Sequence, residues 1–217
     1  AQAMPAVRDW NGDLLPDLAI ATAAGVVLLL GDSQGGGGSP ERVAISGAAG
    51  VAMGDFNADG KQDLVAVGPL QLTVLFGDGQ GSVYATATQD LPVGAPPYSI
   101  VTGDFDSDKK LDLIVGSFGS FQRLRGDGAG RFSLVNGPAF TTGGTAPVTL
   151  AAGDFNHDDK LDLVAADSGI RSVSMYFGDG QGAFPVSANY GYGGSTYKGA
   201  ALLVADINRD QQLDLVV

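Results

Sequence analysis

Oxygen-bearing side chains recur at one fixed spacing five times in this chain. The segment reads D-x-D/N-x-D-x-x-x-D, and its copies begin at Asp9, Asp55, Asp104, Asp154 and Asp206. Side-chain oxygens stand at positions 1, 3, 5 and 9, and residue 7 can offer its backbone carbonyl. The five donor sets are Asp9, Asn11, Asp13, Leu15 and Asp17; Asp55, Asn57, Asp59, Lys61 and Asp63; Asp104, Asp106, Asp108, Lys110 and Asp112; Asp154, Asn156, Asp158, Lys160 and Asp162; and Asp206, Asn208, Asp210, Gln212 and Asp214. Hard oxygen donors packed into a tight loop suit Ca²⁺, which takes six to eight oxygens at flexible angles. Mg²⁺ dehydrates reluctantly and prefers fewer protein ligands, and Zn²⁺ would call for His or Cys. A turn needs one short polar residue, not four at constant spacing in five copies. An EF-hand would place a bidentate Glu at position 12. Here that position holds Ile20, Ala66, Val115, Ala165 and Val217, so the pattern predicts a calcium loop closed by Asp and leading directly into a strand.

The charge balance agrees with this reading. The chain has 24 acidic and 12 basic residues for a net charge of −12, and Glu41 is the only glutamate. The loops account for 16 of the acids. Carboxylates held that close repel one another unless a cation sits among them. Up to five Ca²⁺ would bring the formal charge close to neutrality, so the acidity belongs to metal sites rather than to a partner-binding field. The sign of the charge argues against a nucleic-acid backbone or an anionic membrane as partner, and neither nucleic-acid binding nor membrane insertion is expected. The absence of cysteine excludes disulfides, thiol catalysis and thiolate metal sites. The longest apolar run, Gly25 to Gly31, is too short to span a bilayer. The small-residue start at Ala1 suits a mature chain whose signal peptide has been removed.

The elements that must position these loops repeat with them. A second motif, Gly-Asp-x-x-Gly, starts at Gly31, Gly77, Gly126 and Gly178, which is 22, 22, 22 and 24 residues after the preceding Asp start. The remainder of each unit varies more in length, as loops do. Apolar runs of five to seven residues, bounded by Gly, Asp and Pro, precede and follow both motifs. That is strand signal. Four short antiparallel strands in units of about 50 residues predict an all-β fold, a β-propeller with four-stranded blades. A parallel β-helix has shorter repeats, the nonapeptide β-roll needs a glycine-rich tandem that is missing, and a sandwich has no reason to repeat a motif five times. The repeats are placed at 1–48, 49–97, 98–147, 148–199 and 200–217, the last a half unit. Four and a half blades close a ring poorly, so further blades of the same chain or a second copy are expected to complete it.

Together, the Asp loops and the segments Phe76-Gly77 and Gly94-Ala95-Pro96, with partial echoes at Phe177-Gly178 and Thr145-Ala146-Pro147, resemble the FG-GAP or integrin-alpha-like propeller repeats and the related VCBS repeats. The resemblance covers essentially the whole chain. It implies a calcium-binding propeller, secreted or at the cell surface, that acts as an adhesion or recognition module for a protein or glycan ligand. Lectin-like carbohydrate binding is the alternative, and a polysaccharide lyase a more remote one.

Few other residues invite chemistry. His157 is the only histidine and stands at position 4 of the fourth loop, directed away from the metal. A glycosidase pair would have to come from the acids outside the loops, such as Asp90 and Asp167. Arg125-Gly126-Asp127 spells an integrin-recognition tripeptide, but the repeat itself accounts for Gly126 and Asp127. Tyr190, Tyr192 and Tyr197 lie in a glycine-rich stretch, and Phe118 and Phe121 in another irregular one. Aromatics in such places can stack on sugars or anchor a protein, so the tyrosines are the candidate ligand-binding residues. No catalytic residue is assigned, and the chain is expected not to be an enzyme.

Overall fold

The computed structural model describes residues 5–33, 40–45, 47–91, 96–135, 140–191, 193 and 201–217. Every regular element among them is a β-strand, and none is a helix that could cross a membrane. The first sheet contains β1 (Ala6–Arg8), β2 (Asp17–Thr22), β3 (Gly25–Leu29) and β4 (Glu41–Val43), antiparallel and in that order. The second contains β5 (Gly50–Gly54), β6 (Asp63–Val67), β7 (Gln71–Gly77) and β8 (Val83–Asp90). The third is β9 (Ser99–Gly103), β10 (Asp112–Gly116), β11 (Ser120–Gly126) and β12 (Phe132–Leu134), with β13 (Phe140–Thr141) also pairing with β11. The fourth is β14 (Val148–Gly153), β15 (Asp162–Asp167), β16 (Ser172–Phe177) and β17 (Val186–Gly191), and β18 (Leu203–Ala205) pairs with β19 (Asp214–Val216). The first strands β1, β5, β9, β14 and β18 lie side by side in sequence order. They surround a cavity of about 270 Å³ lined by Ala6, Val51, Ile100, Leu150 and Leu202 among others. This is the predicted propeller, with four four-stranded blades and a two-stranded sheet. The short β13 was not foreseen.

The core lies between blades. On β6, Leu64 and Ala66 pack toward the first blade while Val65 and Val67 pack toward the third. β10 and β15 divide their side chains in the same way. A strand buried on both faces needs apolar residues at every position, which explains the unbroken runs of the second strands. The outer strand β8 alternates half-buried and exposed residues instead. In the two-stranded sheet Leu203, Ile207, Val216 and Val217 are exposed. β19 pairs with β18, and β1 with β2.

The blades also interlock at the ends of their first strands. Each Asp loop is preceded by Gly54, Gly103 or Gly153 in blades two to four. A Cβ on those glycines would lie 2.4, 2.4 and 2.6 Å from a methyl group of Leu111, Leu161 and Leu213, which stand at position 8 of the following loop. A leucine knob therefore fills a glycine hole at three successive seams.

Candidate metal centres

Each Asp element folds as the same loop between first and second strands. The residue at position 4 is in the left-handed region every time, at Gly12, Ala58, Ser107, His157 and Arg209. So is position 6, at Leu14, Gly60, Lys109, Asp159 and Gln211. These turns aim consecutive backbone N–H groups inward, a nest that suits an anion. The position-1 carboxylate fills it. Asp9 accepts from the N–H groups of Asp13 and Leu14, and Asp55, Asp104, Asp154 and Asp206 repeat the pattern in their own loops. The N–H of residue 7 donates to the position-5 carboxylate in all five, from Leu15, Lys61, Lys110, Lys160 and Gln212. In four loops the position-3 amide oxygen, on Asn11, Asn57, Asn156 or Asn208, accepts from the N–H of position 5. Each oxygen that accepts one N–H keeps a lone pair, so these bonds order the donors without exhausting them.

The position-9 aspartate has a second task that the sequence did not disclose. Asp17, Asp63, Asp112 and Asp162 are fully buried. One oxygen accepts from the N–H of position 2, on Trp10, Phe56 and Phe155. The other accepts from Gly31, Gly77, Gly126 and Gly178 at 2.7 to 3.1 Å. Those glycines open the Gly-Asp-x-x-Gly hairpins. A Cβ there would come within 2.1 to 2.4 Å of the carbonyl oxygen of Pro16, Gln62, Leu111 or Leu161, so no larger residue fits. The bolt from Asp loop to hairpin explains why the two motifs keep their spacing. Burial pushes Asp63 up to about 6 against the pull of the Gly77 and Phe56 N–H groups, and Asp59 and Asp55 add to the rise. Asp112 rises to about 6, and Asp162 rises too, with burial again the largest cause.

The third loop differs because Asp106 replaces the usual asparagine. Asp104, Asp106 and Asp108 bring carboxylate oxygens within 4.8 Å of one another and could hold a metal ion. Arg125 reaches Asp108 at 2.8 Å and Asp106 at 3.1 Å, while the buried Arg123 lies 3.3 Å from Asp106 and 3.4 Å from Asp112. Asp106 Oδ1 and Asp112 Oδ2 are nevertheless buried without a hydrogen-bond partner. Arg123 Nη1 faces Asp112 Oδ2, but no donor reaches Asp106 Oδ1, and a cation among these carboxylates would satisfy it. The donor set fits a hard cation.

The remaining sequence candidates separate. His157 is an exposed residue of the loop turn. Arg125-Gly126-Asp127 serves the repeat: Arg125 pairs with the third loop, Gly126 is buried, and Asp127 accepts from the N–H groups of Ala129 and Arg131. Asp167 is buried and accepts from the Thr142 hydroxyl and the Gly169 N–H, while Asp90 ends β8. Phe121 is core, stacked on Phe140, and Phe118 is exposed. Tyr190 is exposed on β17, and Tyr192 and Tyr197 lie outside the described residues.

Five loops of one geometry, four of them bolted to their own hairpins, invite comparison with known repeats. The FG-GAP-like repeat profile matches residues 9–66, 55–115, 104–165 and 158–217. The chain belongs to the FG-GAP-like repeat family. No curated protein matches this FG-GAP-like chain. Among solved structures it is similar to BBS1N, in a crystal structure with ARL6DN, at 13% identity and TM-score 0.53, covering 81% of this chain and 50% of that one. The V. cholerae biofilm matrix protein Bap1 is similar at 16% identity and TM-score 0.48, over 86% of this chain and 28% of that one. An Agrocybe aegerita lectin that recognises non-reducing terminal N-acetylglucosamine is similar at 14% identity and TM-score 0.41, over 85% and 65%. This FG-GAP-like chain thus spans half the length of BBS1N, and the likeness shows a shared fold.

Proposed function

We propose that this FG-GAP-like propeller is an extracellular recognition module whose Asp loops hold up to five structural Ca²⁺. The observation that carries the reading is the convergence of the Asp104, Asp106 and Asp108 carboxylates, with Asp106 Oδ1 buried and without a hydrogen-bond donor. The same loop scaffold in the other four copies extends it to them. Calcium would neutralise carboxylates that burial disfavours, so its role is to fix each blade rather than to react. Exposed Asp loops of this kind suit the ~10⁻⁴–10⁻³ M affinities of extracellular modules, in keeping with a secreted or cell-surface setting. Rigid blades carrying exposed loops suit binding rather than catalysis, and the module acts as a non-enzymatic adhesion surface. A protein is the favoured partner, in keeping with the family's propeller fold. The test is thermal unfolding of metal-stripped protein with and without millimolar calcium. A midpoint raised by calcium, and by much less with magnesium, is expected; one unmoved by calcium would sink the reading.

A further inference from the structure

The third loop departs from the other four in residues that meet in space. Position 3 holds Asp106 where they hold Asn11, Asn57, Asn156 and Asn208. Arg123 and Arg125 stand three residues and one residue before the hairpin glycine Gly126. The first, second and fourth blades have Leu28 and Leu30, Val74 and Phe76, and Met175 and Phe177 there, so each arginine replaces an apolar residue. Arg125 is exposed. Arg123 is only 7% exposed, with Nη2 3.3 Å from Asp106 Oδ2 and Nη1 3.4 Å from Asp112 Oδ2. Its Nε and Nη1 make no hydrogen bond, so charge is what holds the guanidinium in place. The fourth blade walls it in: a Cβ on Gly182 would overlap the guanidinium, whereas the matching hairpin glycines Gly81 and Gly130 face the apolar Leu30 and Phe76. The asparagines of the other loops are ordered by the N–H of position 5. Asp106 is ordered by the two arginines instead.

We infer that Arg123 is the resident counter-cation of the third loop: it holds this loop closed without metal and makes it the last of the loops to take calcium. Carboxylates held together repel one another unless a cation sits among them. Among the described residues, the only ion pair of the other loops is Lys160 with Asp158, and it lies at the surface with side chains 41% and 36% exposed. In the third loop two guanidinium groups face the carboxylates of Asp106, Asp108 and Asp112. Its four carboxylates less two guanidinium charges leave two negative charges for an arriving ion, against three in each other loop. Calcium is therefore attracted less and repels both arginines. Arg125 can swing into solvent, but Arg123 is closed in by the Gly182 hairpin and stays. The same logic explains why position 3 changed together with the strand. Removing one partner of a buried ion pair is strongly destabilising, whereas replacing both can be neutral. Asp106 with Arg123 is thus one exchange for the asparagine and apolar residue of the other blades.

The order of filling rests on the calcium reading; the role of Arg123 does not. Hydrogen exchange of the metal-free full chain, followed by NMR, reads that role. The N–H groups of Asp108, Lys109 and Lys110 donate to Asp104 and Asp108, and they should be protected at least tenfold more than their counterparts in the other loops. Arg123→Met installs the residue of the fourth blade and should remove that excess, while Arg123→Lys should keep most of it. Packing alone would be served as well by methionine, so the contrast marks the charge. In a calcium titration the Lys110 amide should respond at a concentration at least tenfold above that of Lys61 or Lys160, and Arg123→Met should erase the lag. If Arg123→Met does not fold, the double variant with Asp106→Asn carries the fourth blade's pair, and its third loop should exchange and bind calcium as the other loops do. Equal protection of all loops without metal, protection undiminished in Arg123→Met or in the double variant, or a third loop that fills with or before the others would overturn the inference. A chain in which no loop takes calcium would sink the calcium reading instead, and the exchange pattern would still decide the role of Arg123.

Discussion

Removing metal should make the protein less stable as pH rises from about 4 to about 7, the reverse of the usual acid sensitivity of carboxylate-rich chains. Asp63 and Asp112 ionise at about 6 in the fold, against an ordinary 3.8, because burial disfavours their charged forms. Between those values the folded chain holds protons that the unfolded chain has released. Stability is then fully present below the unfolded value and is lost as pH climbs through the folded one. Each group would cost on the order of 3 kcal/mol at full ionisation. Screening by the solvent beyond the loop and local relaxation reduce that to roughly 1–3 kcal/mol. For a chain of this size one kcal/mol moves the midpoint by ~2–4 °C, so the two groups together should lower it by about 4–24 °C. Asp78, held low by the Ser82 and Gln80 N–H groups, and Asp108, held low by Arg125, act below pH 4 and leave the window clear. The assay is differential scanning calorimetry of metal-stripped protein at intervals from pH 4.5 to 7, repeated in saturating calcium, which should flatten the fall. A metal-free midpoint that rises across the window would refute the argument.

Asp59→Ala should reduce the calcium stoichiometry measured by calorimetry by one and leave the remaining affinities unchanged, because each loop takes its donors from its own blade. Arg125→Ala removes a cation that competes for Asp106 and Asp108, and should tighten calcium at the third loop several-fold while the other loops are unaffected; weaker binding there would show that the guanidinium orders the site instead. Ala58→Gly relieves a left-handed residue at φ 58° and should stabilise the protein by ~0.5–1 kcal/mol in chemical denaturation.

Periodicity made the fold legible because every blade solves the same burial problem with the same residue types. Second strands such as Asp63–Val67 read as unbroken apolar runs since both faces are covered, and the outer strand Val83–Asp90 reads as alternation since one face is wet. The Asp loops were legible because oxygen donors at constant spacing serve little else. Where the chain departs from its own repeat, the departure was visible but its meaning was not. Asp106, Arg123 and Arg125 are distant in sequence and become one ion-pair network only when β11 lies beside the third loop. Arg8 and Gln62 occupy aligned positions in different blades, and only the knob-and-hole contact of the other seams shows that they face one another. Left-handed turns at Ser107, Lys109, Arg209 and Gln211 carry no glycine to announce them; the nest of N–H groups around the position-1 carboxylate imposes them.

The position-9 aspartate shows why metal at the loop would act on the blade as a whole. Its carboxylate is the one group that touches the loop, through the N–H of position 2, and the third strand, through the hairpin glycine. Asp63 sits at the start of β6 with none of its surface exposed, so it cannot shed its charge to water. An ion drawn to Asp55 and Asp59 would lower the cost of ionising Asp63, and the charged form makes the stronger bonds to Phe56 and Gly77. Loop closure and hairpin docking would then strengthen together, while the leucine knob of the next loop, Leu111 against Gly54, passes the order on to the following blade. At the first seam that mechanical link is missing, because Gln62 stands in place of the leucine knob and Arg8 in place of the glycine.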